Sequence, residues 1–376
     1  MEIVSANYGV ATIMRICFIL GGKNIFFERL CEYLLERKHE IHVINLSNNE
    51  ITVNGSIYHN DFKLKAKNNF SNLIKYFKIR RYIKENIKPD IISAFYITHN
   101  GWLAAFTNIH PFVLHVMGSD FLLAPRRNIL KSFFNNYAIR RADVIISESE
   151  TIQNGISSIR KSGKGNFVIQ FGVNLNLFKS GLDVSQLKEE LNIDWQIVII
   201  SPRNSTAIYN QEKVIASFAG VCKERNDIIL LLKAQNDKYK KEFSDIAKGY
   251  GVLDKIRFYG FVPLEELPLY YNLSKIMISI PSSDSVSVCL QEAMACGVVP
   301  VISDLPAPKE WIKEGYNGFV VPINDCSKIT QKILSILNNL DTGIEINKIN
   351  RKIIEQKSDF IKNMNDIEYL YAHYNK

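Results

Sequence analysis

Cysteine is sparse and scattered: Cys17, Cys31, Cys222, Cys289, Cys296 and Cys326 include no C-x-x-C pair, and several lie inside apolar strings. A disulfide scaffold or a zinc site is not expected from such spacing. Long hydrophobic runs are missing too. Ile228 to Leu232 and Ile197 to Ile200 are the longest aliphatic stretches, far below the roughly 20 residues that span a bilayer. The start, MEIVSANYGVATIM, has neither a basic n-region nor a long apolar core, so no secretory signal is read there and a cytoplasmic location is expected. Common ligand fingerprints are also absent. Without G-x-G-x-x-G a nicotinamide or flavin dehydrogenase has little support, and without G-x-x-x-x-G-K-[ST] a P-loop ATPase has none. No two aspartates stand two apart, which removes the D-x-D clamp of metal-dependent nucleotide-sugar enzymes.

What is present is enough apolar material for two cores. In 376 residues, 47% are hydrophobic and 22% charged, which suits two compact domains rather than a disordered chain. Lys plus Arg exceed Asp plus Glu by 46 to 38, a net charge of +8 that favours an anionic partner. Much of that excess sits in residues 61–90, where Lys63, Lys65, Lys67, Lys75, Lys78, Arg80, Arg81, Lys84 and Lys88 face only Asp61, Glu85 and Asp90. Phe70, Leu73, Ile74, Tyr76 and Phe77 interleave with these cations. Such a helix either lies on anionic lipid headgroups or is an ordinary amphipathic helix with a solvated face. No nucleic-acid reader motif accompanies it.

Residues 1–13 read as an extension before the fold, and Met14 could itself be the native start. Ile16 to Leu20 is a short apolar strand ending at Gly21-Gly22, and FFERLCEYLLERKHE follows with Phe27, Leu30, Cys31, Leu34 and Leu35 at helical spacing. Ile41 to Leu46 completes a βαβ unit. Further strands are expected at Asp90 to Ser93, Phe112 to Val116, Asp143 to Ile146 and Val168 to Gln170, making this half a doubly wound α/β domain. A second series begins at Ile197, with strands at Ile228 to Leu232, Ile256 to Tyr259, Ile276 to Ile280 and Val298 to Ile302. Residues 328–338 and 345–373 are helical by pattern, with no strand after them. The boundaries implied are an N-terminal domain over 1–178, a C-terminal one over 179–355, and a helix over 356–376 packing back on the first. In open α/β sheets ligands bind at the carboxyl ends of the strands.

The most informative of those ends is IPSSDSVSVCLQEAMACGVVPVISD, residues 280–304. Asp284 in a small-residue loop and Glu292 in the following helix resemble the carboxylate, seven residues, Glu signature of the retaining GT-B glycosyltransferases of family 4. SPRNSTAIYN, residues 201–210, resembles the family's phosphate-binding turn: Arg203 matches its first cation, while Tyr209 and Asn210 stand where a Lys-Gly is usual. ERKHEIHVI, ADVIISESE, FGVNLNLF and FYGFVPLEELPLYYNLSKIMISIPS resemble further family segments in family order, with Lys38 in place of a Gly.

The resemblance implies a GT-B fold, two Rossmann-like α/β domains facing each other across a cleft. It implies a nucleoside-diphosphate sugar as donor, with no cofactor and no metal. Arg203, Tyr209 and Asn210 would serve the diphosphate, with Gly21 and Gly22 approaching it by backbone. Asp284, Ser285, Val286 and Ser287 would face the donor sugar, Glu292 the ribose hydroxyls, and Gly260 and Val262 the base. Arg203, Asp284, Glu292 and Asp120 are the catalytic candidates. The family's usual His falls at Met117, and His115, two residues earlier on the same strand face, is a packed strand residue or a substitute. Asp284 and Asp120 also suit helix caps, Glu292 a solvated helix face, Arg203 a surface ion pair, and Tyr209-Asn210 a plain turn.

The implied activity is retaining, metal-independent transfer of a sugar to a hydroxyl of a glycan or lipid-linked acceptor, in surface polysaccharide or lipopolysaccharide synthesis, with anionic membrane touched through 61–90. Two other readings share the residues: a GT-B nucleotide-sugar epimerase, and a catalytically silent nucleotide-sugar-binding subunit of a glycan assembly complex.

Overall fold

A computed structural model describes residues 12–47, 53–59, 62, 69–123, 129–160 and 165–375. The expected leading extension, apart from Thr12 and Ile13, and the lysines Lys63, Lys65 and Lys67 lie outside the described residues. The chain divides into two units, one ending at Phe171 and resuming at Ile361, the other running from Gly172 to Phe360.

The first unit is built on seven strands: β1 (Arg15–Leu20), β2 (Glu40–Asn45), β3 (Ile57–His59), β4 (Ile91–Phe95), β5 (Phe112–Val116), β6 (Val144–Ser147) and β7 (Asn166–Val168). All pairings are parallel, in the order β3-β2-β1-β4-β5-β6-β7. Ile16 to Leu20 are buried on both faces, which is why β1 is apolar throughout rather than alternating. The chain leaves β1 at Gly21-Gly22 and enters the helix Ile25–Glu36, whose first amides are capped by Asn24 through Phe26 N at 2.9 Å and Phe27 N at 3.2 Å. At Lys38 the backbone takes φ 68°, the left-handed region, where glycine would be unstrained.

The second unit has six parallel strands: β8 (Ile197–Ser201), β9 (Ile228–Lys233), β10 (Ile256–Tyr259), β11 (Ser274–Ser279), β12 (Val299–Ser303) and β13 (Phe319–Val321), ordered β10-β9-β8-β11-β12-β13. Side chains alternate across this sheet. Ile228, Leu230 and Leu232 join one core with Phe218 and Ile333, while Ile229 and Leu231 join another with Tyr271, Leu290 and Ala293. In each sheet the strand order reverses once, between β1 and β4 and between β8 and β11. Those are the topological switch points, where the outgoing loops part and leave a crevice.

Two short edge strands, β3 and β13, were not expected from the sequence. Each has three residues, too few for a period-2 signal to stand out. The long helix expected over 345–373 is two helices, Leu340–Lys357 and Phe360–Tyr374. The break is made by tertiary pairing: Ser358 O accepts from Val173 N at 2.8 Å, and Phe360 N donates to Val173 O at 3.1 Å. Val173 and Phe178 therefore pack with the second unit, so its first residue is Gly172 rather than one near 179. From Ile361 the last helix belongs to the first unit. Its Tyr371 hydroxyl lies 2.8 Å from Ser93 Oγ and 2.9 Å from His115 Nε2, and Glu368 lies 3.0 Å from His39 Nε2.

Candidate functional site

Arg203 stands two residues beyond the end of β8, and Asp284 lies in the loop after β11, the neighbouring strand across the switch point. Sheet order alone therefore brings together residues 81 positions apart. Arg203 Nη2 and Asp284 Oδ2 are 3.0 Å apart, both side chains largely buried. Desolvation of the guanidinium is outweighed by the attraction and hydrogen bond of Asp284 together with contributions from Cys289 and Tyr209, which keeps Arg203 charged; burial pushes the Asp284 carboxyl up, with Arg203 pulling it back.

The loops are held from behind. Gln211 accepts from Ser201 Oγ at 2.7 Å and donates to Arg203 O at 2.8 Å. Asn210 takes φ 52°, as the glycine it replaces would, and its amide donates to Ile280 O at 2.7 Å and Ser282 Oγ at 2.9 Å. Asn210 thus ties the β8 loop to the β11 loop. Tyr209 lies with its ring centroid 4.5 Å from the Arg203 guanidinium carbon, a cation–π contact at the position where a second cation is usual.

The helix Val288–Ala295 starts from the β11 loop. Ser287 caps it, accepting from Leu290 N at 3.2 Å, so the helix N-terminus faces the loop that carries Asp284 and Ser285. Val286 turns its side chain into the core, leaving its backbone to the loop. Glu292 is buried, at 6% exposure, and its Oε2 accepts from the Tyr271 hydroxyl at 2.8 Å. A buried glutamate held this way is not a solvated helix residue. Cys289, one turn earlier, has its Sγ 3.9 Å from Pro202 O, which places the helix against the Arg203 loop. After β10, a Cβ on Gly260 would meet only Ala234 O, at 3.9 Å, and Val262 packs against the core that includes Tyr271.

The first unit's switch point holds Gly21 and Gly22. A Cβ on Gly21 would come 2.8 Å from Asn100 Oδ1, whereas one on Gly22 would meet nothing within 4 Å. Asp120 is buried at the start of the short helix Ser119–Leu122, and its carboxylate accepts from Ile97 N at 2.8 Å and Met117 N at 3.2 Å. It clamps the loops after β4 and β5, and burial raises it to about 6 despite those amides. His115 is a core residue: its ring stacks on Phe95 with centroids 4.4 Å apart, and burial lowers it to about 3, so it stays neutral. It is not a substitute for a histidine at Met117.

Sequence reasoning missed Tyr271, Gln211 and the stacking of Tyr209 on Arg203. Tyr271 has no local signal, since its partner Glu292 comes from another helix, whereas Gln211 and Tyr209 sit in the same strand–turn–helix segment as Arg203 and their contacts depend on how that turn folds. Among the described residues no cluster of three or more His, Cys, Asp or Glu is arranged to hold a metal ion, and no helix is long and apolar enough to cross a membrane.

Residues 183–359 match the family model described as glycosyl transferases group 1, and residues 15–149 match the one described as glycosyl transferase 4-like. N-acetyl-alpha-D-glucosaminyl L-malate synthase of Bacillus anthracis is 23% identical over 378 residues, covering 94% of this chain and 94% of that protein. The crystal structure of Anabaena HepE in complex with UDP and glucose aligns over 96% of this chain and 100% of its own, with 16% identity and a TM-score of 0.79. WaaG, a glycosyltransferase involved in lipopolysaccharide biosynthesis, aligns over 95% and 99%, with 12% identity and a TM-score of 0.75.

Proposed function

As a member of the group 1 glycosyl transferases, with the GT-B fold, this chain is a glycosyltransferase, and from that premise we propose that it moves a hexose from a nucleoside-diphosphate sugar to an acceptor hydroxyl, with retention and without metal. The observation that carries the reading is the Arg203–Asp284 pair at one switch point of the second unit, with Glu292 buried on the helix that follows the Asp284 loop and bonded to Tyr271. Glu292, oriented by Tyr271, accepts hydrogen bonds from the ribose hydroxyls. The Arg203 fork, its charge maintained by Asp284, meets the diphosphate, helped by the N-terminus of the Val288–Ala295 helix. As the glycosidic bond lengthens, negative charge gathers on the departing diphosphate, and these fixed donors stabilise it there. No side chain is required as a covalent nucleophile.

The first unit would supply the acceptor side, with Gly22 leaving room for close backbone approach. A uridine donor is the first choice, since HepE was solved with UDP; a glycan or lipid-linked acceptor in surface polysaccharide or lipopolysaccharide synthesis fits the likeness to WaaG. Contact with anionic membrane is supported by the exposed Ile74 and Phe77 among the cations of the helix Asn69–Tyr82.

Arg203→Ala and Glu292→Ala test the site. Each is expected to lower transfer by about 100-fold or more, comparable to the loss of a fixed transition-state donor, while circular dichroism stays that of the parent. Full activity of both variants on a verified donor would remove the assignment.

A further inference from the structure

The side chains at the donor site carry no net positive charge. Arg203 is already paired with Asp284, and Glu292 adds a carboxylate, so these three side chains together carry no excess of cation for a diphosphate. The helix N-terminus supplies only about half a charge. Tyr209 occupies the position where a second cation is usual, and it offers a ring to Arg203 instead. Lys213 is directed elsewhere, its Nζ donating to Asn324 Oδ1 at 3.0 Å.

We infer that Lys233 is the second cation of this site, placed to meet the phosphate nearest the nucleoside. The inference rests on the nucleotide-sugar reading above. Lys233 is the last residue of β9, the strand next to β8 on the side away from β11. Alternation along β9 sets it on the face of Ile229 and Leu231, the face covered by Tyr271, Leu290 and Ala293 and so by the helix that carries Glu292. Its turn is tied to the Arg203 loop: Ser205 Oγ donates to Lys233 O at 3.4 Å and accepts from Gln235 N at 3.1 Å. Lys233 registers against Tyr259, beyond which come Gly260 and Val262. It therefore stands between the loop assigned to the base and the strand end assigned to the phosphates.

The charge of Lys233 reaches that site. Burial pushes the Cys289 thiol up and Glu292 adds to it, while Arg203 and Lys233 both pull it down. Among the described residues the Lys233 ammonium has neither an ion-pair nor a hydrogen-bond partner, although the residue is half-buried. A lysine at a strand end with no such role would extend into solvent and leave nucleotide affinity untouched.

Calorimetric titration of the full chain with uridine, UMP and UDP separates these cases, using Lys233→Ala and Lys233→Arg beside the parent. Loss of one charge-assisted contact predicts UMP and UDP binding to Lys233→Ala about tenfold weaker or more, with uridine affinity unchanged. Lys233→Arg should recover most of the loss, and the melting temperature of the ligand-free variants should match the parent. Unchanged UMP and UDP affinity in Lys233→Ala would overturn the inference, as would an equal loss for uridine, which marks a structural role. If the parent binds neither the uridine series nor the corresponding guanosine and adenosine compounds, the donor reading itself fails and Lys233 falls with it.

Discussion

At the residue scale the site depends on one buried ion pair. Pairs of this kind add little net stability, because desolvation of both ions offsets their attraction, but removing one partner strands the other. Asp284→Asn should therefore cost about 3 kcal/mol in urea unfolding, since it leaves the Arg203 guanidinium buried without its anion. UDP should recover part of that cost, its phosphates replacing the missing carboxylate, so the gap between variant and parent is expected to narrow in saturating UDP. An Asp284→Asn protein as stable as the parent would mean that the pair does not hold Arg203 in solution. Asp284 and Arg203 were legible in the sequence as motif residues, but their mutual contact was not, because it depends on β8 and β11 being neighbours.

At the scale of elements, the loops after β4 and β5 and the last helix share two buried titratable groups with opposite pH behaviour. His115, lowered to about 3 by burial, contributes stability that is present above its unfolded value near 6.5 and lost as pH falls toward 3. Asp120, raised to about 6, works in the other direction: the folded state binds its proton more tightly than the unfolded chain, so this term favours folding as pH falls from 6 toward about 4. Each is worth about 1.4 kcal/mol per pH unit in its window, and between pH 6 and 4 they nearly cancel. Asp120→Asn removes one side of the balance. Its unfolding free energy should then fall between pH 6 and 4 by about 1.4 kcal/mol per pH unit more steeply than that of the parent. Parallel stability curves would show that Asp120 is not raised in the folded protein. This opposition was invisible in HVMGSD, where neither burial nor the amides of Ile97 and Met117 can be read.

At the scale of the molecule, a net charge of +8 is unevenly spread, and the first unit gathers exposed apolar side chains as well. Ile74 and Phe77 belong to the helix Asn69–Tyr82; Ile129, Leu130, Phe133 and Phe134 are exposed on the helix Ile129–Arg141. The helix Trp102–Thr107 lies against both, with Phe106 4.9 Å from Phe77 and, at Phe134, Trp102 5.4 Å away. Sedimentation with vesicles containing phosphatidylglycerol should capture the protein at low salt, release it at high salt, and capture Phe77→Glu/Phe133→Glu weakly. Equal recovery of the double variant on those vesicles would show that this face does not bind lipid. The sequence pointed to the cations of 61–90, but the neighbouring apolar row on Ile129–Arg141 is an exposed-face pattern that becomes evident only once the buried side of that helix is known.

The sequence by itself determined the class of fold, the strand–turn–helix alternation, and which residue types stand at the strand ends, because hydrophobic periodicity and glycine or proline punctuation are local properties. It also determined that Asn210 and Lys38 occupy positions where glycine is usual, and the two outcomes differ: Asn210 tolerates its left-handed backbone and adds two hydrogen bonds, whereas Lys38 adopts the same region at a cost. Only the tertiary structure decided that Tyr271 orients Glu292, that Tyr209 stacks on Arg203, that His115 is a neutral core ring, and that the chain breaks at Ser358 to let its last helix join the first unit. Apart from Tyr209 and Arg203, which share the loop after β8, each of those facts is a contact between distant segments. Their partners are chosen by strand order and burial, which no short stretch of sequence contains.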